Sequence, residues 1–208
     1  IVGGDDEQIV AIGGKSVSST AISQTGEDLG VTWAADKALP AGLALNEDTG
    51  VISGTYTGTT SGQAVITLTG TSAHGPAQTA TKKVTINYEP AFAISGGNDK
   101  VLTYTGNTAV KTVGLSISAA SSAITWSIPE TAGITISQDG KLTITGEAAV
   151  TADGKITVTA RSANGQTATK TVSYLVEDTL KISGASKLVG KQGVAASEAY
   201  TISGGSSN

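Results

Sequence analysis

The feature that most constrains this chain is that it repeats itself. "VTWAADKALPAGLALNEDTGVISG" (31–54) aligns with "ITWSIPETAGITISQDGKLTITG" (124–146), and "QTATKKVTI" (78–86) aligns with "QTATKTVSY" (166–174). The two copies are about 90 residues apart, which is the length of one small β-sandwich domain and about twice that of a propeller blade. The repeat therefore predicts a tandem array of like domains within these 208 residues.

A third copy begins near the end of the sequence. "LKISGASKLV" (180–189) aligns with "FAISGGNDKVL" (92–102), and "AYTISGGSSN" (199–208) aligns with "VGLSISAASS" (113–122). The copy stops where its tryptophan-bearing strand is due, which is typical of a piece taken from a longer array. Strands of an incomplete sandwich have unpaired backbone groups, so we expect these strands to pair with another element or with a neighbouring copy of the chain.

The repeat sets the predicted domain limits. Repeat 1 occupies residues 1–90, repeat 2 occupies 91–179, and the truncated start of repeat 3 occupies 180–208. The joints "NYEPAF" (87–92) and "LVEDTL" (175–180) contain no flexible tract rich in Pro, Gly and Ser. Because the joints are this short, we expect a stiff array rather than domains on flexible linkers.

Each repeat carries the pattern of β-strands. "VITLTGT" (65–71) and "KITVTAR" (155–161) alternate apolar and polar residues, and glycine-containing turns recur every 8–12 residues. No segment sustains the helical period of apolar residues over three turns. The sequence therefore predicts an all-β fold of tandem Ig-like sandwich domains. Trp33 and Trp126 occupy matched strand positions, and we predict that both are core residues between two sheets, the alternative being an exposed sugar-stacking role.

Repeat 1 also resembles a known family. "GEDLGVTWAADKALPAGLALNEDTGVISGTYTG" (26–58), followed by "ITLTGTSAHGPAQTATKKVTI" (66–86), is similar to the bacterial putative-Ig and dystroglycan-type cadherin-like repeats. Repeat 2 is a looser copy of the same pattern. The resemblance implies a cadherin-like sandwich in a secreted or surface-anchored modular protein of bacteria, such as an adhesin or a surface-layer component. It implies no particular ligand, because the fold supports many functions.

Calcium is the metal that this resemblance suggests, since cadherin-like domains hold it between repeats with carboxylate and carbonyl oxygens. The candidate carboxylates are those of Asp28, Glu47, Asp48 and Glu89. They lack the Asp-x-Asp clustering of calcium-binding cadherins, and repeat 2 has "SQDGK" where repeat 1 has "NEDTG". A metal site belonging to the fold should occur in both copies. We therefore interpret these acids as solvated turns and predict no cofactor, with calcium as the alternative.

Catalytic chemistry finds little support in the sequence. The opening "IVGG" (1–4) matches the mature N-terminus of chymotrypsin-like proteases, and the single histidine, His74, lies in "TSAHG". However, no Gly-Asp-Ser-Gly-Gly segment supplies a nucleophile. His74 aligns with Asn164 at a hairpin tip, and cysteine is absent from the sequence. We predict that the chain is not an enzyme.

Ligand binding would require exposed aromatic side chains. Tyr56, just after a turn in "GTYTG", is the best candidate for an exposed ring, and the predicted loop tips at 55–63 and 72–78 are the candidate binding loops. A glycan or a host protein is the expected class of ligand. Lys–Asn cross-links of the kind that lock some surface Ig modules are compatible with the composition, but the sequence does not place the required groups together.

The charge balance restricts the partners. Thirteen Lys and Arg against seventeen Asp and Glu argue against nucleic acid, and no apolar run reaches the ~20 residues of a membrane span. We expect the partners to be adjacent repeats and neighbouring copies, and the location to be extracellular or on the bacterial cell surface. The leading hypothesis is a structural segment of a stalk, adhesin shaft, surface layer or filament. The alternatives are a glycan- or protein-binding module and accessory domains of a larger secreted enzyme.

Overall fold

Strands account for the regular structure of the chain. The computed structural model describes residues 6–21, 30–73, 76, 78–119 and 121–205, and these form seventeen β-strands and no helix. A helix long and apolar enough to cross a membrane is accordingly not found in this part of the chain. The predicted all-β class is confirmed.

Two sheets make up the described part of repeat 1. Its strands are β1 (Glu7–Ile12), β2 (Ser16–Ser18), β3 (Val31–Ala35), β4 (Leu43–Leu45), β5 (Ile52–Thr55), β6 (Gly62–Ser72) and β7 (Thr79–Glu89). One sheet has the order β1-β7-β6-β3 and the other the order β2-β5-β4. The first strand runs parallel to the last, with Ile9 opposite Ile86. The remaining pairs, β2–β5, β3–β6, β4–β5 and β6–β7, are antiparallel.

The core of repeat 1 follows from the two-residue period of its strands. Along β6, Ile66 and Leu68 are buried and the neighbouring Thr67 and Thr69 are less so, because successive side chains point to opposite faces. Trp33 is also buried and lies against Gly70, where a Cβ atom would stand 2.8 Å from the indole ring. Glycine at this position therefore makes room for the largest side chain of the core.

The β4–β5 connection is a turn capped by Asn46. Its side-chain carbonyl accepts hydrogen bonds from the backbone N–H groups of Asp48 (3.0 Å) and Thr49 (2.9 Å). Gly50 ends the turn with a positive φ of 68°, a conformation that glycine adopts without steric cost. The residues that shape this turn are thus the asparagine and the glycine.

Repeat 2 repeats the same two-layer pattern. Its strands are β8 (Ile94–Gly96), β9 (Val101–Tyr104), β10 (Lys111–Ile117), β11 (Ile124–Ser127), β12 (Ile134–Ile136), β13 (Lys141–Ile144), β14 (Thr151–Ser162) and β15 (Thr167–Glu177). They form sheets of order β12-β13-β10-β8 and β11-β14-β15-β9. Strand β9 runs parallel to β15, with Val101 opposite Tyr174, as β1 does to β7. Trp126 is buried in this repeat.

Contacts between Cα atoms divide the chain into two compact units. The first contains the described residues up to Ile94 together with Ile117–Thr125 and Ala160–Ala168. The second contains Ser95–Ser116, Trp126–Thr159 and the described residues from Thr169 onward. Two short segments of repeat 2 thus belong to the same compact unit as repeat 1. The domain limits predicted at 90/91 and 179/180 remain predictions.

The last segment forms a small sheet of its own. Strands β16 (Lys181–Ser183) and β17 (Thr201–Ser203) pair antiparallel, with Ile182 opposite Ile202. This sheet has two strands, both from the described part of the third copy. Its residues are exposed throughout. Pairing with a neighbouring copy of the chain remains a prediction.

Candidate functional site

A fully buried carboxylate lies at the end of repeat 1. Glu89 is the last residue of β7, and none of its surface is exposed to solvent. One carboxylate oxygen, Oε1, accepts hydrogen bonds from the hydroxyl of Ser162 and from Nε2 of Gln166 (3.1 Å). The other, Oε2, accepts from the hydroxyl and backbone N–H of Ser122 (2.7 and 3.2 Å) and from Nδ2 of Asn164 (3.1 Å). We call these five residues the Glu89 cluster.

The orientation of Gln166 is fixed by its neighbours. Its Oε1 accepts a hydrogen bond from the backbone N–H of Phe92 (3.0 Å), while its Nε2 also donates to the carbonyl of Pro90 (3.1 Å). Its backbone N–H donates in turn to the Ser162 hydroxyl (3.0 Å). The amide therefore presents its N–H group, and not its oxygen, to the carboxylate of Glu89.

Hydrogen bonds keep Glu89 ionised despite its burial. Burial by itself raises the pKa of the Glu89 carboxyl, but the donors from Ser162, Ser122 and Gln166 outweigh it and hold the pKa below its ordinary value. Among the described residues, no ion pair joins this carboxylate to Lys or Arg. The charge is stabilised by neutral donors, each of which loses its acceptor if the carboxylate is removed.

The cluster joins segments that are distant in sequence. The donors lie 33 to 77 residues after Glu89, in the loop before β11 and around the hairpin between β14 and β15. All of them fall within the first compact unit. The backbone carbonyl of Glu89 also accepts from the N–H of Gly13 (2.9 Å). Hydrogen bonds therefore fix both the main chain and the side chain of Glu89 at the end of β7.

The arrangement around Glu89 does not fit calcium. Calcium requires six to eight oxygen ligands that point toward the ion. Here the groups that point toward the carboxylate are hydroxyl and N–H donors, and the contacts of Gln166 fix its N–H inward. We therefore assign Glu89 to a hydrogen-bonded joint.

The other calcium candidates are dispersed. Glu47 and Asp48 lie side by side in the exposed turn that Asn46 caps. Asp28 lies outside the described residues. No group of three or more His, Cys, Asp or Glu side chains is close enough together to hold a metal within the ranges that the structure describes. Nothing in the described turn brings a further carboxylate to Glu47 or Asp48.

The exposure predicted for Tyr56 is wrong. The residue is 4% exposed, its hydroxyl donates to the backbone carbonyl of Thr60 (2.7 Å), and its ring packs on Tyr88 with centroids 5.1 Å apart. The short strand β5 directs the side chain inward, and the following loop folds over its hydroxyl. Tyr56 therefore offers no exposed ring to a ligand. His74 lies outside the described residues.

An exposed aromatic side chain occurs elsewhere, in repeat 2. Tyr104 is 49% exposed and lines a surface cavity of about 410 Å³. Leu102, Asn107, Lys111 and Glu177 also line this cavity. An aromatic ring beside polar and charged groups is a common arrangement in binding sites.

One family model matches most of repeat 1. Residues 6–89 match the model of the family described as "Putative Ig domain". Residues 6–89 therefore resemble an Ig domain of this family. The resemblance seen in the sequence is thereby confirmed for these residues. None of the curated proteins compared with the chain matches it.

Solved structures extend the Ig likeness beyond repeat 1. The C-terminal 282-residue fragment of intimin, in complex with the intimin-binding domain of the translocated intimin receptor, matches with a TM-score of 0.52 and 16% identity, over 85% of this chain and 63% of the fragment. The N-terminal eight Ig domains of Down syndrome cell adhesion molecule match with a TM-score of 0.53 and 15% identity, over 98% of this chain and 27% of that one. Drosophila N-cadherin EC1–4 matches with a TM-score of 0.41 and 10% identity, over 84% of this chain and 47% of that one.

These likenesses concern the fold. The predicted class, tandem Ig-like β-sandwich domains, is confirmed. This chain spans less than two thirds of the intimin and cell adhesion molecule chains that it matches. Ig-like domains are typically extracellular or surface-exposed.

Sequence reasoning singled out Glu89 but not its partners. Serine, asparagine and glutamine in separate loops form no recognisable motif, so the cluster was not predicted. The sequence contained one indication that Glu89 has a structural role, because Glu89 and Glu177 occupy matched positions at the ends of the aligned strands. In the structure the backbone carbonyl of Glu89 accepts a hydrogen bond from the N–H of Gly13 (2.9 Å), and that of Glu177 accepts one from the N–H of Thr105 (2.8 Å).

Proposed function

We propose that this chain is a structural, non-enzymatic repeat segment of a bacterial surface or extracellular protein, in which it serves as a stiff spacer. The observation that carries this proposal is the Glu89 cluster. It attaches the last residue of β7 to the loop before β11 and to the β14–β15 hairpin through at least five hydrogen bonds to one carboxylate. In a flexible joint this carboxylate would remain hydrated, whereas its burial costs free energy unless hydrogen bonds from the protein replace the lost water.

The Ig-like fold is consistent with this role, and so is the internal repeat. Down syndrome cell adhesion molecule, which the chain resembles in fold, carries eight Ig domains in its N-terminal part. The short joint at 87–92 gives little length of free chain for one repeat to turn against the next. Stalk, adhesin shaft, surface-layer subunit and filament component all require this mechanical property.

Distance measurements between two spin labels test the spacer role. The sequence contains no cysteine, so Lys37→Cys and Lys155→Cys place one label on each repeat without further changes. We expect a narrow distance distribution in the parent chain and a clearly broader one after Glu89→Ala. Glu47→Ala, which removes an exposed carboxylate outside the cluster, serves as the matched control. An equally narrow distribution in the Glu89→Ala variant would refute the proposal.

A binding role is the second candidate, and the cavity beside Tyr104 favours it. The exposed ring and the neighbouring amide and charged groups suit a glycan or a protein segment better than the buried Tyr56 does. Binding on a glycan array that is lost with Tyr104→Ala but retained with Tyr56→Phe would support this role. An array without signal at high protein concentration would remove glycans as the ligand class.

A further inference from the structure

The first long strand and the last strand of each repeat run side by side in the same direction. In repeat 1, β1 lies at the edge of its sheet, and its one sheet neighbour among the described strands is β7. Six residues of each strand are in register, from Glu7 opposite Val84 to Ile12 opposite Glu89. In repeat 2, β9 lies at the edge beside β15, with four residues of each strand in register. The chain therefore enters each parallel pair at one end and leaves it at the other.

Tension along the chain acts on such a pair in shear. A pull on the segments before Glu7 and after Glu89 draws the two strands in opposite directions along their common axis. Because the hydrogen bonds of the ladder run between the strands at regular spacing, this sliding motion loads all of them together. Two strands pulled apart from one end lose their hydrogen bonds one at a time instead. Separation of β1 would also bring the buried side chains of Ile9 and Ala11 into water.

A lysine at the matched position of each repeat binds the start of the parallel pair. Lys82 of β7 and Lys170 of β15 align in the sequence. The Lys82 ammonium lies 2.9 Å from the Glu7 carboxylate, which also accepts hydrogen bonds from the backbone N–H and the hydroxyl of Thr20 (2.8 and 2.9 Å). The Lys170 ammonium donates to the side-chain carbonyl of Asn98, just before β9 (2.7 Å). In both copies the last strand is thus joined by a side chain to the residues where the edge strand begins.

Main-chain hydrogen bonds extend the pair at its other end. The N–H of Gly13 donates to the carbonyl of Glu89 (2.9 Å), and the N–H of Thr105 donates to the carbonyl of Glu177 (2.8 Å). In repeat 2 the N–H of Thr179 also donates to the hydroxyl of Thr105 (3.0 Å). Contacts beyond the ladder therefore lie at both ends of the parallel pair in each repeat.

We propose that the two repeats bear tension along the chain, that the parallel strand pair resists it in each, and that repeat 1 is the stronger of the two. Repeat 1 has the longer pair, and only 8% and 17% of the Lys82 and Glu7 side chains are exposed. The hydrogen bond between Lys170 and Asn98 is exposed to solvent. An ion pair shielded from water is harder to separate than a contact in solvent. Tensile strength goes beyond the spacer role, because it depends on strands inside each repeat and stiffness depends on the joint.

Single-molecule force spectroscopy of the whole chain tests this proposal, with handles attached to pairs of introduced cysteines in a sequence that has none. Gln8→Cys with Ala91→Cys pulls repeat 1 along its parallel pair, whereas Gln8→Cys with Lys83→Cys pulls the same pair apart from one end; all three positions are exposed. At the same loading rate we expect the first attachment to need at least about twice the force of the second, because only the first loads the whole ladder together. Its unfolding should lengthen the chain by about 260 Å. Equal forces in the two directions would refute resistance in shear.

The same measurement ranks the two repeats. Asp99→Cys with Asp178→Cys, both at exposed positions, pulls repeat 2 along the pair of β9 and β15. We expect repeat 2 to unfold at a lower force than repeat 1 pulled along its own pair. A repeat 2 that is as strong as repeat 1 would overturn the ranking. Each pair of handles spans a single repeat, so a flexible joint, which would refute the spacer role, would leave these forces unchanged.

Substitution of Lys82 separates tensile strength from stability in general. At a fixed force along the parallel pair, Lys82→Ala should raise the unfolding rate of repeat 1 about tenfold, because the ion pair must break before the strands can slide. Lys83→Ala, which changes the exposed neighbouring lysine, should leave the rate within about twofold. Leu43→Ala truncates a buried core residue of the other sheet and should lower stability in urea at least as much, but it should change the rate under force less. If Lys82→Ala unfolds under force no faster than Leu43→Ala, the lysine does not hold the pair under tension.

Discussion

Replacing Glu89 by glutamine removes the negative charge of the cluster while nearly preserving the side-chain shape. The new amide nitrogen would face a donor such as Ser162, so at least one hydrogen bond of the cluster is lost and the others are no longer charge-assisted. A buried donor without an acceptor costs about 1–3 kcal/mol, and a hydrogen bond to a charged group contributes about 1.5–3 kcal/mol. We expect the free energy of unfolding to fall by about 3 kcal/mol for Glu89→Gln and by somewhat more for Glu89→Ala.

Equilibrium unfolding in urea, followed by tryptophan fluorescence, measures this loss. The chain has two tryptophans, Trp33 in one repeat and Trp126 in the other, so the signal follows both repeats. The control is Glu47→Gln in the exposed turn, which should change the free energy of unfolding by less than about 0.5 kcal/mol. A Glu89→Gln variant as stable as the parent chain at pH 7 would refute the charged cluster.

The pH dependence of this difference separates charge from packing. Hydrogen bonds hold the folded-state pKa of Glu89 below its ordinary value of about 4.3, so its stabilisation is complete above that value. The stabilisation is lost as the pH falls from there through the folded-state pKa. We therefore expect the gap between the parent chain and Glu89→Gln to narrow toward pH 3. A gap that is constant from pH 7 to pH 3 would show that the carboxylate contributes only by its shape.

Two further substitutions test the core of repeat 1. Gly70→Ala places a methyl group 2.8 Å from the Trp33 ring and should lower the free energy of unfolding by about 1–3 kcal/mol. The control is Gly114→Ala, whose methyl group would have no neighbouring atom within 4 Å and should cause no such loss. Lys82→Ala removes the ion-pair partner of the Glu7 carboxylate at 2.9 Å but leaves the two hydrogen bonds that this carboxylate accepts from Thr20. It should therefore lower the free energy of unfolding by about 2 kcal/mol at pH 7, less than the loss expected for a buried charge left without any partner. Unfolding in urea measures both effects. Equal stability of Gly70→Ala and Gly114→Ala would contradict the close contact between Gly70 and Trp33. Equal stability of the parent chain and Lys82→Ala would contradict a stabilising ion pair.

The repeat was the information that made the fold predictable. Alternating apolar residues and a period of about 90 residues indicated tandem sandwiches, because strand periodicity and turn spacing are local properties of the sequence. Both "NEDTG" and "SQDGK" also contain a glycine, and these residues, Gly50 and Gly140, both have a positive φ, of 68° and 79°. These features depend on residues close together in the chain.

The contacts that define the site depend on residues far apart. Tyr56 is buried because Tyr88, 32 positions later, packs on its ring, and no local pattern around "GTYTG" indicates this. The donors to Glu89 come from two loops up to 77 residues away. The sequence alone does not distinguish a carboxylate that binds a metal from one that accepts hydrogen bonds. The orientation of Gln166 distinguishes the two cases.

That orientation leads to a prediction that separates this chain from calcium-dependent cadherin-like joints. Because Gln166 Nε2 donates to both Glu89 and Pro90 while its oxygen accepts from Phe92, turning the amide to offer its oxygen to a cation would break all three hydrogen bonds. The thermal midpoint at pH 7 should therefore be the same, within about 1 °C, in millimolar calcium and in excess chelator. Acidification toward pH 3 should lower it, since the stabilisation by the Glu89 carboxylate is lost progressively as the pH falls below the ordinary pKa of glutamate. A midpoint that rises with calcium in the parent chain, but not in Glu89→Gln, would show that the joint binds the metal after all.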